Sequence, residues 1–298
     1  MSVPLSFVAV ILIWSTTPLA IKWSSEGAGF IFAVTSRMAI GTVGCLLLLA
    51  LVRGKLLWHK KALQVYMAGG LGIFGAMSCV YWGSQFIPSG LISVIFGLTP
   101  LMTGLMAAVW LGEQSLTPIK LLGMASAFAG LVVIFGDGFY SGSDALIGML
   151  AVLMAVFLHS ASTVWVKKIG AEIPVISMTT GGLVMALPLY LLSWFFIDGQ
   201  LPSSIPDRSL YSIIYLGIFG SVIGFILFFY VLKHMEASRV GLVPLVTPVS
   251  ALLLGVFLNK EAIPAVLWSG TGLILFGMAI YQWGGALLQR LQFADQKE

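Results

Sequence analysis

Residues 97–114 read GLTPLMTGLMAAVWLGEQ, and residues 245–262 read LVTPVSALLLGVFLNKEA. Each is an apolar run of helical length with a Thr-Pro pair near its start and a glutamate near its end. Thr99-Pro100 recurs as Thr247-Pro248 and Glu113 as Glu261, in both cases 148 residues on (247 − 99 and 261 − 113). The same offset carries Gly72 to Gly220, Leu105 to Leu253, Gly136 to Gly284 and Trp82 to Tyr230, one aromatic for another. Nearer the start, Ser15 and Lys22 recur as Ser160 and Lys167 at an offset of 145, so a three-residue insertion reconciles the two registers. The chain therefore reads as two copies of one unit, residues 1–138 and 139–298.

Of the 298 residues, 59% are hydrophobic and 9% charged, and the mean hydropathy is +1.04. A water-soluble domain carries about 25% charged residues, so this chain lacks the polar surface to fold in water. Lipid is its solvent. A bilayer-spanning helix needs about 20 apolar residues, and the runs between charged or turn-rich breaks supply ten: 4–22, 30–52, 64–84, 89–111, 119–136, 144–166, 174–197, 209–232, 238–258 and 265–286. The N-terminal MSVPLS lacks the positive region of a signal peptide, so the first run is expected to remain as a helix. The net charge of +4 forms no patch suited to nucleic acid. With the N-terminus in the cytoplasm, eleven of the fifteen Lys and Arg fall on that side, three (Lys22, Arg208, Lys260) on the other, and Arg37 inside a span. That bias places both termini in the cytoplasm.

Five spans per copy is an odd number, so the copies must enter the membrane in opposite directions. The predicted fold is all-α, ten transmembrane helices in a 5+5 inverted repeat. Such repeats are characteristic of secondary transporters, which bind substrate near the midplane and rock one half against the other.

The stretches SGLISVIFGLTPLMTGLMAAVWLGEQSLTPIKLLGMASAFAGLVVIFG and EASRVGLVPLVTPVSALLLGVFLNKEAIPAVLWSGTGLILFGMAIYQWG resemble two copies of the EamA-domain signature of the drug/metabolite transporter superfamily. IWSTTPLAIKW is similar to that domain's first-helix opening. The resemblance implies a ten-helix transporter or exporter of small metabolites, often amino acids or related compounds, in a bacterial inner membrane. It leaves the substrate open.

Ionisable groups at membrane depth are costly and mark function. Arg37 lies well inside the second span. It either meets an anionic group of the substrate in the cavity or is a structural arginine that satisfies nearby carbonyls. Lys22 shares a helical stripe with Trp14 and Pro18, with Thr17 alongside; His159, Thr163 and Lys167 form the matching stripe on the sixth span. The lysines either line the cavity or anchor at the interface. His159 sits mid-span and is a candidate for a substrate contact, a proton relay or an interhelix tie. Tyr81, Trp82, Trp165 and Tyr230 join Trp14 as aromatics that either stack on substrate or form the interfacial belt. Proline removes a backbone donor and bends a helix, so Pro18 and the pairs Thr99-Pro100 and Thr247-Pro248 are candidate hinges or gates, or fixed bends. Glu113 and Glu261 stand at helix ends on opposite membrane faces and are expected to cap or pair there.

No metal ligand set, cofactor motif or phosphate-binding loop is found, and the first span has no Asp or Glu to bind protons or cationic drugs. The expected activity is secondary transport, not enzyme chemistry: export of an amino acid or similar metabolite by alternating access. A carrier of phosphorylated or nucleotide-linked sugars, using Arg37 and Lys22 on phosphate, is the alternative. An intramembrane lipid-modifying enzyme would show clustered acids or histidines, and only His159 lies mid-span.

Overall fold

The computed structural model describes residues 2–112, 117–136, 143–170, 172–234 and 243–295, and every regular element among them is helical. The first half contains α1 (Val3–Ser25), α2 (Phe30–Leu51), α3 (Lys60–Gly83), α4 (Ser89–Phe96), α5 (Thr99–Leu111) and α6 (Pro118–Gly136). The second contains α7 (Ser143–Ile169), α8 (Val175–Ile197), α9 (Asp207–Tyr215), a π-helical segment (Leu216–Ile223), α10 (Gly224–His234), α11 (Val243–Asn259) and α12 (Ala265–Asp295). Joining α4 to α5, and α9 through the π segment to α10, gives nine spans of sufficient length and hydropathy, with Val246–Asn259 of α11 as a shorter apolar tenth.

Local chemistry sets the helix starts. Pro100 lies in the first turn of α5, where a missing N–H costs no hydrogen bond. Pro88, Pro174 and Pro206 immediately precede α4, α8 and α9. His59 caps α3 by accepting the Ala62 N–H at Nδ1, 3.3 Å away. Large side chains such as Leu122, Phe128, Phe195, Phe257 and Phe276 stay exposed on the outside of the bundle, the face lipid covers.

The packing follows the repeat. Spans two and seven (α2, α8), four and nine (α4, α11), and five and ten (α6, α12) each pack on their own counterpart. The other contacts come in exchanged pairs. α3 against α7 is matched by the eighth span against α1, α3 against α8 by the eighth span against α2, and α5 against α7 by α11 against α1. A two-fold relation between five-span halves requires this interchange. The boundary expected at 138 lies outside the described residues. α6 and α12 approach most closely through glycine: a β-carbon on Gly123 would stand 2.5 Å from the Gly277 carbonyl, and one on Gly130 2.5 Å from that of Gly270.

The repeated Thr-Pro sentence has two different outcomes. In the fourth span the helix breaks at Gly97–Leu98, before Pro100; the Gly97 N–H reaches the Ser93 and Val94 carbonyls, and Thr99 Oγ1 donates back to Phe96 O at 2.6 Å. In the ninth span α11 runs on with Pro248 inside it. The two copies meet, since a β-carbon on Gly97 would lie 3.6 Å from Pro248 Cγ.

Candidate functional site

Arg37 is on the inner face of α2 and is 2% exposed. Its Nε donates to Ser221 Oγ at 3.1 Å, and its guanidinium carbon lies 5.9 Å from the ring centroid of Tyr81 on α3. Nη1 finds no hydrogen-bond partner among the described residues, and neither does the hydroxyl of fully buried Tyr81. Tyr190 of α8 is tied to α2 nearby, its carbonyl accepting from Thr35 Oγ1 at 3.3 Å. Its own hydroxyl is shared between the carbonyls of Ile73 and Phe74, at 2.9 and 3.1 Å, and its ring packs edge-on to Phe74. Spans two, three and eight thus meet at one cation, and no carboxylate pairs with Arg37 among the described residues.

The π segment makes this approach possible. Gly217 and Gly220 turn bare backbone towards α2: a β-carbon on Gly217 would meet Ile40, and one on Gly220 would stand 3.1 Å from Arg37 Nη2. A π turn carries one extra residue per hydrogen-bonded ring, re-aims the side chains around it, and is frequent at functional sites. Here it seats Ser221 against the guanidinium.

The other candidates scatter. Thr17 Oγ1 bonds back to Ile13 O at 2.7 Å, Pro18 is buried in α1, and half-buried Trp14 packs on Val10, Ile13 and Leu227. Lys22 Nζ donates to the Ile87 carbonyl at 3.1 Å, tying α1 to the α3–α4 connection. His159 meets Phe96 with ring centroids 6.5 Å apart, and Thr163 bonds back to its carbonyl. Trp82 and Trp165 are exposed, and Trp82 packs edge-on to Phe86. Tyr230 is half-buried in α10 and Thr247 buried in α11. Thr99 and Thr103 flank Ser160 of α7: Thr103 Oγ1 donates to Ser160 Oγ at 3.1 Å, which in turn reaches the Thr99 carbonyl. Glu113 lies outside the described residues. Glu261 caps the start of α4, accepting from the Ser89 N–H and hydroxyl.

Ser221 and Tyr190 complete the Arg37 cluster without having been singled out in the sequence. Ser221 left a faint signal as the single polar residue in LGIFGSVIGFIL, 216–227. Tyr190 left none, because buried and interfacial tyrosines look alike in an apolar run.

The profile of the EamA-like transporter family matches residues 1–136 and, a second time, residues 146–282. The chain belongs to the EamA-like transporter family. An Archaeoglobus fulgidus protein named "Uncharacterized transporter" is 29% identical to it over 269 residues, 90% of this chain and 94% of the other. A Streptantibioticus cattleyicolor protein named "Probable terminal-alkyne amino-acid exporter" is 26% identical over 273 residues, 89% of this chain and 88% of the other. A solved crystal structure with 24% sequence identity shares the fold at a TM-score of 0.69, over 97% of this chain and 98% of its own. This EamA-family protein is accordingly a multi-pass membrane transporter with a small-molecule substrate.

Proposed function

We propose that this transporter exports a small carboxylate-bearing metabolite of the amino-acid class across the inner membrane, with Arg37 receiving the carboxylate. The observation that carries the proposal is the buried guanidinium whose Nη1 has no partner among the described residues, beside a Tyr81 hydroxyl in the same condition. A buried cation without a counter-charge costs several kcal/mol. An arriving carboxylate removes that cost, supplying a charge-assisted hydrogen bond that a neutral solute lacks. The neighbours of Arg37 are hydroxyls, and Lys22, the other cation considered for phosphate, already donates to Ile87 O. One cation suits a monoanion better than a phosphate dianion, which argues for a carboxylate over a sugar phosphate. The amino-acid exporter name of the Streptantibioticus relative points the same way.

Alternating access would then be a rocking of the halves 1–138 and 139–298 about the Arg37 cluster. The excess of Lys and Arg on one side supports an orientation with both termini in the cytoplasm. Thermal-shift measurements with a panel of amino acids and sugar phosphates, paired with flux into proteoliposomes, test this reading. The expected result is a stabilising shift with certain amino acids that disappears in Arg37→Ala. A shift with sugar phosphates alone, or one that survives in Arg37→Ala, sinks it.

A further inference from the structure

At the end of the bundle where α1 stops and α4 starts, helices of both halves are knotted together around residues 22–26. Besides the Lys22–Ile87 bond, Trp23 Nε1 donates to Asn259 Oδ1 at 2.9 Å and Ser209 Oγ donates to the Ser24 carbonyl at 2.6 Å. Arg208 pairs with Glu26 and lies over the Trp23 ring, 4.9 Å from its centroid. The centre of the knot is Glu261. Its carboxylate accepts the Ser89 N–H at 3.1 Å, the Ser89 hydroxyl at 3.0 Å and the Gly90 N–H at 3.5 Å. Asn259 Nδ2 adds a fourth donor at 2.9 Å, so Asn259 links Glu261 to α1. The α4 donors are first-turn amides with no partner inside their own helix, at the positive end of its dipole.

The chain is contorted to put the carboxylate there. Lys260 adopts a φ of 52°, left-handed backbone that non-glycine residues seldom take. Gly255 leaves room beneath, since a β-carbon on it would stand 2.5 Å from Glu261 Oε2. Strained backbone persists where surrounding contacts hold it, and it clusters at functional positions.

We propose that Glu261 is the latch of a gate that closes this end of the transporter, and that α4 and α11 part there during transport. The proposal rests on the transporter reading above but not on the identity of the cargo. Three observations favour a latch over a permanent staple. The contact joins α4 of the first half to α11 of the second, the bodies that alternating access must separate. It consists of bonds from a side chain to a helix start, which break without unfolding either helix. Glu261 and Asn259 are only half-buried, so water can replace each bond as it opens.

The test is the accessibility of a buried cysteine. With Cys45 and Cys79 replaced by alanine, Ser24→Cys puts a thiol at a position that is 0% exposed within the knot. The full chain is reconstituted in liposomes and exposed on both faces to a membrane-impermeant maleimide. Weakening charge-assisted bonds by Glu261→Gln should speed labelling by about tenfold, with an unchanged gel-filtration profile. Trp23→Phe, which removes the indole donor to Asn259 while keeping an aromatic ring beneath Arg208, should speed it less. Equal labelling rates with and without the Glu261→Gln substitution would overturn the latch; if the Glu261→Gln protein does not fold, an unchanged rate in Trp23→Phe does so instead. No cargo enters the measurement, so a failed amino-acid screen and a failed latch are separate results.

Discussion

In the reading proposed above, Arg37 is kept for cargo rather than for stability. A structural arginine at membrane depth would have all its donors engaged, whereas here Nη1 is left over while Ser221 takes Nε. Groups held for function commonly cost stability. Arg37→Met should therefore leave the ligand-free unfolding midpoint in detergent unchanged or raise it, while abolishing the amino-acid shift. A fall of several degrees without ligand would mark Arg37 as a packing element. Tyr190 should behave in the opposite way. It is fully buried, and its hydroxyl donates to the α3 carbonyls at Ile73 and Phe74. Tyr190→Phe removes the hydroxyl's bonds to these part-buried helix carbonyls, with an expected loss of about 0.5–1.5 kcal/mol. The measurement is thermal unfolding of purified protein with and without ligand; an unchanged midpoint would contradict the assigned role.

Among the elements, α6 and α12 depend on the absence of side chains at four positions. Lipid gives helices little hydrophobic reason to associate, so close van der Waals packing must do it. Gly123→Ala would force a methyl group to within 2.5 Å of the Gly277 carbonyl and 2.7 Å of the Tyr281 N. Overpacking of this kind costs about 1–3 kcal/mol. The variant should unfold at a lower temperature yet retain the Arg37-dependent ligand shift; loss of the shift at full stability would mean that this pair belongs to the binding site. The small residues of the fifth span are visible in the sequence, and so is the repeat, because spacing survives as long as the fold needs it. The fourth span breaks at Gly97–Leu98 rather than at Pro100, since a proline in the first turn of a new helix has no bond to remove. The π segment leaves no trace, because a run that is apolar all round has no periodic face to slip. The Arg37 cluster is only half visible for a related reason. At the 145 offset that relates the starts of α2 and α8 (Phe30 and Val175), Arg37 answers to Gly182, and at 148 Ser221 answers to Ile73. The cluster is built where the two copies differ, so the echo that reveals the scaffold says nothing of it.

For the whole molecule, polarity decides what the Glu261 end does. Eleven Lys and Arg on one side against three on the other is a strong asymmetry for so lightly charged a chain. On the positive-inside rule the end that carries Glu261 would face outwards, and the proposed latch would then act as an outer gate. The end of the molecule that carries the tie between Arg208 and Glu26 is the same one. For the exporter proposed above, opening this end would need cargo or some other input to offset the bonds of Glu261. Fusion of a fluorescent protein after Glu298 should give bright cells. Alkaline phosphatase, which folds only outside the cytoplasm, should be active when fused within the 198–206 connection and inactive after Glu298. The reverse pattern would leave the helix packing and the Arg37 cluster as they are, but it would turn the Glu261 latch into the cytoplasmic gate and make uptake, not export, the direction that a shut latch restrains.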